Sequence, residues 1–127
     1  MIAHHVCIQT NTYQESLAFY QKLGFELVQE SPNFHGRSYN TWLALSNFYI
    51  ELQTGKDRLE THDPQVSEGI AHLCLWVEDL PAFLSEKKFP DELYVKKEKI
   101  YTVENGQLTK LRAPEGTIIE IRNNPGI

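Results

Sequence analysis

Residues 5–10 read His5-Val6-Cys7-Ile8-Gln9-Thr10, and residues 72–77 read His72-Leu73-Cys74-Leu75-Trp76-Val77. Both are short apolar runs of the kind that form strands. Side chains alternate across a strand, so each run has two faces. In the second run Leu73, Leu75 and Val77 make an apolar face, leaving His72, Cys74 and Trp76 opposite. In the first, Val6, Ile8 and Thr10 are the matching set, leaving His5, Cys7 and Gln9. Pairing His5 with His72 superposes both faces and both cysteines. Pairing His4 with His72 would put Val6 and Ile8 on the cysteine face. One segment is therefore written twice, with His5 and His72 equivalent. His4 is expected on the apolar side, as a polar residue at the strand start.

Working outward, each run leads into a helical stretch. Asn11 or Thr12 can cap a helix through Leu17, Phe19, Tyr20 and Leu23, which Gly24 stops. Asp79 can cap a second helix with Pro81 in its first turn and Phe83 and Leu84 as its apolar face, ending before Pro90. Strands are expected at 25–30, 38–45 and 47–53 after the first helix. After the second they are expected at about 92–100, about 100–112 and 117–122. The polar stretch 55–68 reads as the linker. The chain is thus two βαβββ modules, about 1–54 and 69–124, each needing a second copy to cover its sheet. The expected fold class is α+β, one domain over 1–127 with a curved mixed sheet around a cleft.

The bulk properties fit one such domain. There are 127 residues, of which 41% are apolar and 11% aromatic, enough for an ordinary core. The formal charge is −5 and the pI about 5.5, which argues against a nucleic-acid or anionic-membrane partner. No run of 18 apolar residues and no leader-like start is present, so a cytoplasmic location is expected. The two cysteines form no CxxC and are expected as free thiols.

Two carboxylates sit where strand alternation should forbid a polar residue. Glu51 opposes Ile50 and Leu52, and Glu120 opposes Ile119 and Ile121. Glu51 follows His5 by 46 residues and Glu120 follows His72 by 48. Each module so offers one imidazole and one carboxylate of the same parity. If these four groups converge, two neutral imidazoles and two carboxylates suit one divalent cation: nickel, cobalt, zinc, iron or manganese. With Ser46-Asn47 as a two-residue turn, Ala44 opposes Tyr49 and Trp42 opposes Glu51. Gln9, Trp42, Tyr49 and Trp76 are then the candidate substrate pocket, with Cys7 and Cys74 beside them.

These residues resemble the vicinal oxygen chelate superfamily, the fold of glyoxalase I, fosfomycin resistance proteins, extradiol dioxygenases and methylmalonyl-CoA epimerase. The opening His5–Thr10, Ser16-Leu17-Ala18-Phe19-Tyr20 and Leu23-Gly24-Phe25 are similar to its first strand and helix. Arg112-Ala113-Pro114-Glu115-Gly116-Thr117-Ile118-Ile119-Glu120-Ile121 resembles its closing hairpin. The resemblance places the four metal positions on His5, Glu51, His72 and Glu120, the set of bacterial glyoxalase I, and implies nickel or cobalt. It implies a lactoylglutathione lyase-like carbon–sulfur lyase or isomerase. The substrate would be a small α-oxo compound or its thiol adduct, with proton transfer at a metal-bound enediolate and Glu51 or Glu120 as base.

Two positions depart from that pattern. Gln9 replaces an arginine and Gly55 an asparagine, which argues against glutathione as the thiol. The alternative is a non-catalytic metal- or small-ligand-binding, antibiotic-resistance-type protein of the same fold. Relatives of this length commonly form dimers. The resemblance thus implies a homodimer with His5 and Glu51 from one chain and His72 and Glu120 from the other.

Overall fold

In the computed structural model, which describes residues 1–127, the chain divides into two units, Met1–Thr61 and His62–Ile127. Each is a four-stranded mixed sheet with one α-helix, so the fold class is α+β. The first unit runs β1 (His5–Thr10), α1 (Tyr13–Leu23), β2 (Glu26–Phe34), β3 (Arg37–Leu45) and β4 (Phe48–Thr54). Its strand order is β1-β4-β3-β2, with β1 and β4 parallel and the other neighbours antiparallel. The second runs β5 (Leu73–Trp76), α2 (Leu80–Lys87), β6 (Tyr101–Val103), β7 (Gly106–Arg112) and β8 (Ile118–Arg122). Its order, β5-β8-β7-β6, repeats the first, again with the first and last strands parallel.

Alternation decides which face of each sheet is buried. Ile8, Leu43, Ile50 and Leu52 are buried in the first unit, and Leu111, Ile119 and Ile121 in the second. His5, Cys7 and Gln9 lie on the exposed parity of β1, as do Cys74 and Trp76 on β5. Helix α1 buries Tyr13, Ser16, Leu17, Tyr20 and Leu23, an i, i+3/i+4 stripe. Gly24 closes it at φ +119°, with its N–H on Gln21 and the Phe25 N–H on the Tyr20 carbonyl. An added Cβ would have room there, so the cost of Gly24→Ala is the backbone's, about 1–2 kcal/mol. Urea unfolding should show it as a lower midpoint at unchanged slope.

Several expectations change. Thr12 is the N-cap residue of α1, but no side chain caps the helix. The junction is held by Thr10 instead, whose hydroxyl accepts from the Thr12 N–H (2.9 Å) and meets the Ser16 hydroxyl (2.8 Å). Asn11 brackets the backbone of Leu59, donating to its carbonyl and accepting from its N–H, both at 2.9 Å. Asp79 does cap α2, accepting from the Ala82 N–H at 3.0 Å.

No strand forms over 92–100. Residues Asp91–Leu93 make a 3-10 turn, and beyond it only Tyr94 and Val95 bond to β7. Lys96-Lys97-Glu98-Lys99 has no apolar alternate to bury, and its outer lysines lie over the Tyr101 and Tyr94 rings. The expected strand 100–112 is a hairpin, β6 and β7 joined at Glu104-Asn105.

Candidate metal centre

The ladders carry the repeat down to single residues. In the parallel pair of β1 and β4, Cys7 lies beside Glu51, and in that of β5 and β8, Cys74 lies beside Glu120. Cys7 and Cys74 are thus equivalent in register, with His5 and His72 each two residues before them. His5 opens β1 and pairs with Tyr49, whereas His72 precedes β5 and has no ladder partner. Trp42 opposes Glu51 and Ala44 opposes Tyr49, with Ser46 at φ +55° in the turn between the strands.

In the first unit His5 Nε2 lies 3.5 Å from Glu51 Oε2, and in the second His72 Nε2 lies 3.5 Å from Glu120 Oε2. Donors about 2.0–2.2 Å from a zinc-sized ion, at angles of about 90–110°, stand about 2.8–3.6 Å apart. Each His–Glu pair therefore fits two adjacent corners of a metal site. Glu120 is the more enclosed carboxylate, its side chain 9% exposed against 22% for Glu51. It also touches Lys110 Nζ at 3.6 Å and accepts from the Cys74 thiol at 3.5 Å.

The thiols are held protonated. Burial, then the adjacent Glu51 carboxylate, pushes Cys7 up to about 11, and burial with Glu120 does the same to Cys74. Relative to the ordinary 9.0, the thiolate population at pH 8 falls about 100-fold. Alkylation by iodoacetamide at pH 8 should be slower by that order in folded than in urea-unfolded protein. Equal rates would contradict it. The folded state holds these protons more tightly, so stability should fall as pH rises from about 9 towards 11.

The pocket residues are placed unevenly. Trp42 meets His5 edge-on, with ring centroids 4.9 Å apart. Tyr49 instead stacks on His4, at 5.0 Å and 24°. The Gln9 side-chain oxygen Oε1 accepts from Arg37 Nη1 at 3.1 Å, so a guanidinium from β3 stands beside that position. Trp76 is 54% exposed and donates to the Asn123 carbonyl.

His4, Arg37 and Lys110 were not foreseen as site neighbours. His4 precedes the strand and is freed from its alternation. Far from facing the helix, it shares a 2.9 Å hydrogen bond between its Nδ1 and that of His5, which leaves His5 Nε2 directed at Glu51. Together with Val28, Gln29, Trp42 and Tyr49 it lines a cavity of about 170 Å³. Lys110 stands opposite Glu120 in the β7–β8 ladder and was hidden while those strands had no register.

Residues 4–88 match the family model described as glyoxalase/bleomycin resistance protein/dioxygenase superfamily. The uncharacterized protein YwkD of Bacillus subtilis is 35% identical over 85 residues, covering 65% of this chain and 66% of that protein, just under two thirds. A glyoxalase family protein from Enterococcus faecalis superposes with a TM-score of 0.76 at 24% identity, over 95% of this chain and 96% of its own. Lactoylglutathione lyase from Agrobacterium tumefaciens gives 0.63 at 16%, over 96% and 92%. A variant of fosfomycin resistance protein FosX from Listeria monocytogenes, complexed with Mn(II) and a dihydroxypropylphosphonic acid, gives 0.69 at 11%, over 98% and 94%. At these identities the solved structures speak for the fold alone.

Proposed function

Because the chain belongs to the glyoxalase/bleomycin resistance protein/dioxygenase superfamily, we propose that it is a metal-dependent, glyoxalase-like lyase or isomerase acting on a small α-oxo compound or its thiol adduct. The observation that carries this reading is the repeated His–Glu pair at 3.5 Å, His5 with Glu51 and His72 with Glu120. These four residues would hold one divalent ion, nickel or cobalt first and zinc, iron or manganese after them. When bound, that ion supplies Lewis-acid polarisation of neighbouring substrate oxygens.

The protein's own part is proton handling. Glu51 is assigned the base because it is the more accessible of the two carboxylates and forms no ion pair with a lysine or arginine. It takes the proton from the carbon next to the carbonyl and returns it to the neighbouring carbon. Glu120, braced by Lys110 and Cys74, keeps its place. His4 fixes the His5 ring, and Trp42 shields that ring from water on one side.

We read the two units as halves of one domain. The active form is a two-fold dimer whose site takes His5 and Glu51 from one chain and His72 and Glu120 from the other. Mixing Glu51→Ala with Glu120→Ala chains should then restore about a quarter to a half of the wild-type sites, since a mixed dimer regains one intact site. No recovery of metal binding after demonstrated subunit exchange would refute the shared site. Turnover of methylglyoxal with glutathione and other cellular thiols, after loading with each metal, tests the activity.

The open pocket of about 170 Å³ lined by His4, Trp42 and Tyr49 favours one second reading, a protein that holds a small ligand without turning it over. Absence of turnover with every thiol and metal would give it precedence.

A further inference from the structure

In the second unit, the sheet face that carries Glu120 also carries two cations. Lys110 stands opposite Glu120 in the β7–β8 ladder, its Nζ 3.6 Å from Oε2. Arg122 lies two residues further along β8, beside Trp76 of β5. Two positive groups thus flank one carboxylate, in a chain where 17 acids outnumber 12 lysines and arginines. The local balance is the reverse of the global one.

The two cations differ in what they still lack. Lys110 keeps its contact with Glu120, but a carboxylate that also held an ion would neutralise the ammonium only in part and leave it able to take a second anion. Arg122 has no such partner. Its Nε is buried without a hydrogen-bond acceptor, and its guanidinium forms no ion pair. A buried donor without an acceptor is an uncommon and costly arrangement, and an acceptor on a ligand resolves it. The neighbouring Arg112 is already occupied by Gln65, Asp63 and the Gly116 carbonyl, so it does not contribute.

We infer that Lys110 and Arg122 bind an anionic group, a carboxylate or a phosphonate, on the substrate of this site. The inference rests on the α-oxo reading above and narrows it: the substrate is an α-oxo acid or an acid-bearing adduct, not a neutral dicarbonyl. Arg122 offers a planar fork to the anion and Lys110 a point charge.

The test uses three probes with the same α-oxo group: pyruvate, acetylphosphonate and the neutral methyl pyruvate. Their affinities are measured by ligand-observed NMR on the full chain, metal-loaded and metal-free. One anion at least should bind about tenfold more tightly than the ester, with the preference shrinking as salt rises. The tighter of the two anions assigns the group. Lys110→Met and Arg122→Met should each reduce the preference to less than about threefold, while Lys110→Arg keeps most of it. If Arg122→Met does not fold, the two Lys110 variants decide the matter. Equal affinity for acid and ester in the wild type would overturn the inference, as would a full preference surviving in the folded methionine variants. Failure of the wild type to take up any metal would instead overturn the metal centre. The acid preference of the metal-free protein would still decide the inference separately.

Discussion

Glu51→Gln should lower kcat by about 10² to 10⁴, the range that a positioned general base contributes. The amide keeps the shape and one oxygen of the carboxylate but cannot accept the proton. Glu51 lies between Cys7 on β1 and Trp42 on β3, so an isosteric change there leaves both ladders intact. Metal content measured beside kcat separates loss of the base from loss of the ion. Glu120→Gln is expected to cost less in kcat, since Glu120 is the carboxylate pinned by Lys110 and Cys74. A Glu51→Gln enzyme with full metal and undiminished kcat would remove Glu51 from the chemistry.

Ile50→Ala should destabilise the fold by about 2–5 kcal/mol, the usual cost of emptying a closed core position. Ile50 is fully buried and lies in register with Val6 on one side and Leu43 on the other. It is the residue that holds β4 down where Glu51 points the opposite way. Against a typical total of about 5–15 kcal/mol, such a loss is a large share of the stability. Thermal unfolding should report it directly. A change below about 1 kcal/mol would mean that the site relaxes around the missing atoms.

Much of the architecture was legible because period-2 alternation is a strong signal wherever one face of a strand is buried. Val6-Cys7-Ile8 and Ile50-Glu51-Leu52 declare their faces without help, and the parity argument that chose His5 over His4 agrees with the ladders. The Ser46-Asn47 turn was equally readable and fixed the register of Trp42 on Glu51. Where alternation gives out, so does the reading. Residues 96–99 are all charged and carry no face, and the strand expected there does not form. Helix starts misled for another reason. Asn11 and Thr12 are good caps by residue type, but the Leu59 backbone and Thr10 claim their side chains first. His4 escaped because alternation was extended one residue past the strand that enforces it. Lys110 and Arg122 carry no motif at all, and only the β7–β8 ladder brings Lys110 to Glu120.

His5, Glu51, His72 and Glu120 are proposed to serve one ion together. Calorimetric titration of metal-free wild type with Ni²⁺ or Co²⁺, alongside the four single alanine variants, tests it most directly. One ion per chain is expected in the wild type, with affinity lost by at least about 100-fold in every variant, whichever unit is changed. Unchanged affinity in both variants of either pair, His5 with Glu51 or His72 with Glu120, would contradict it.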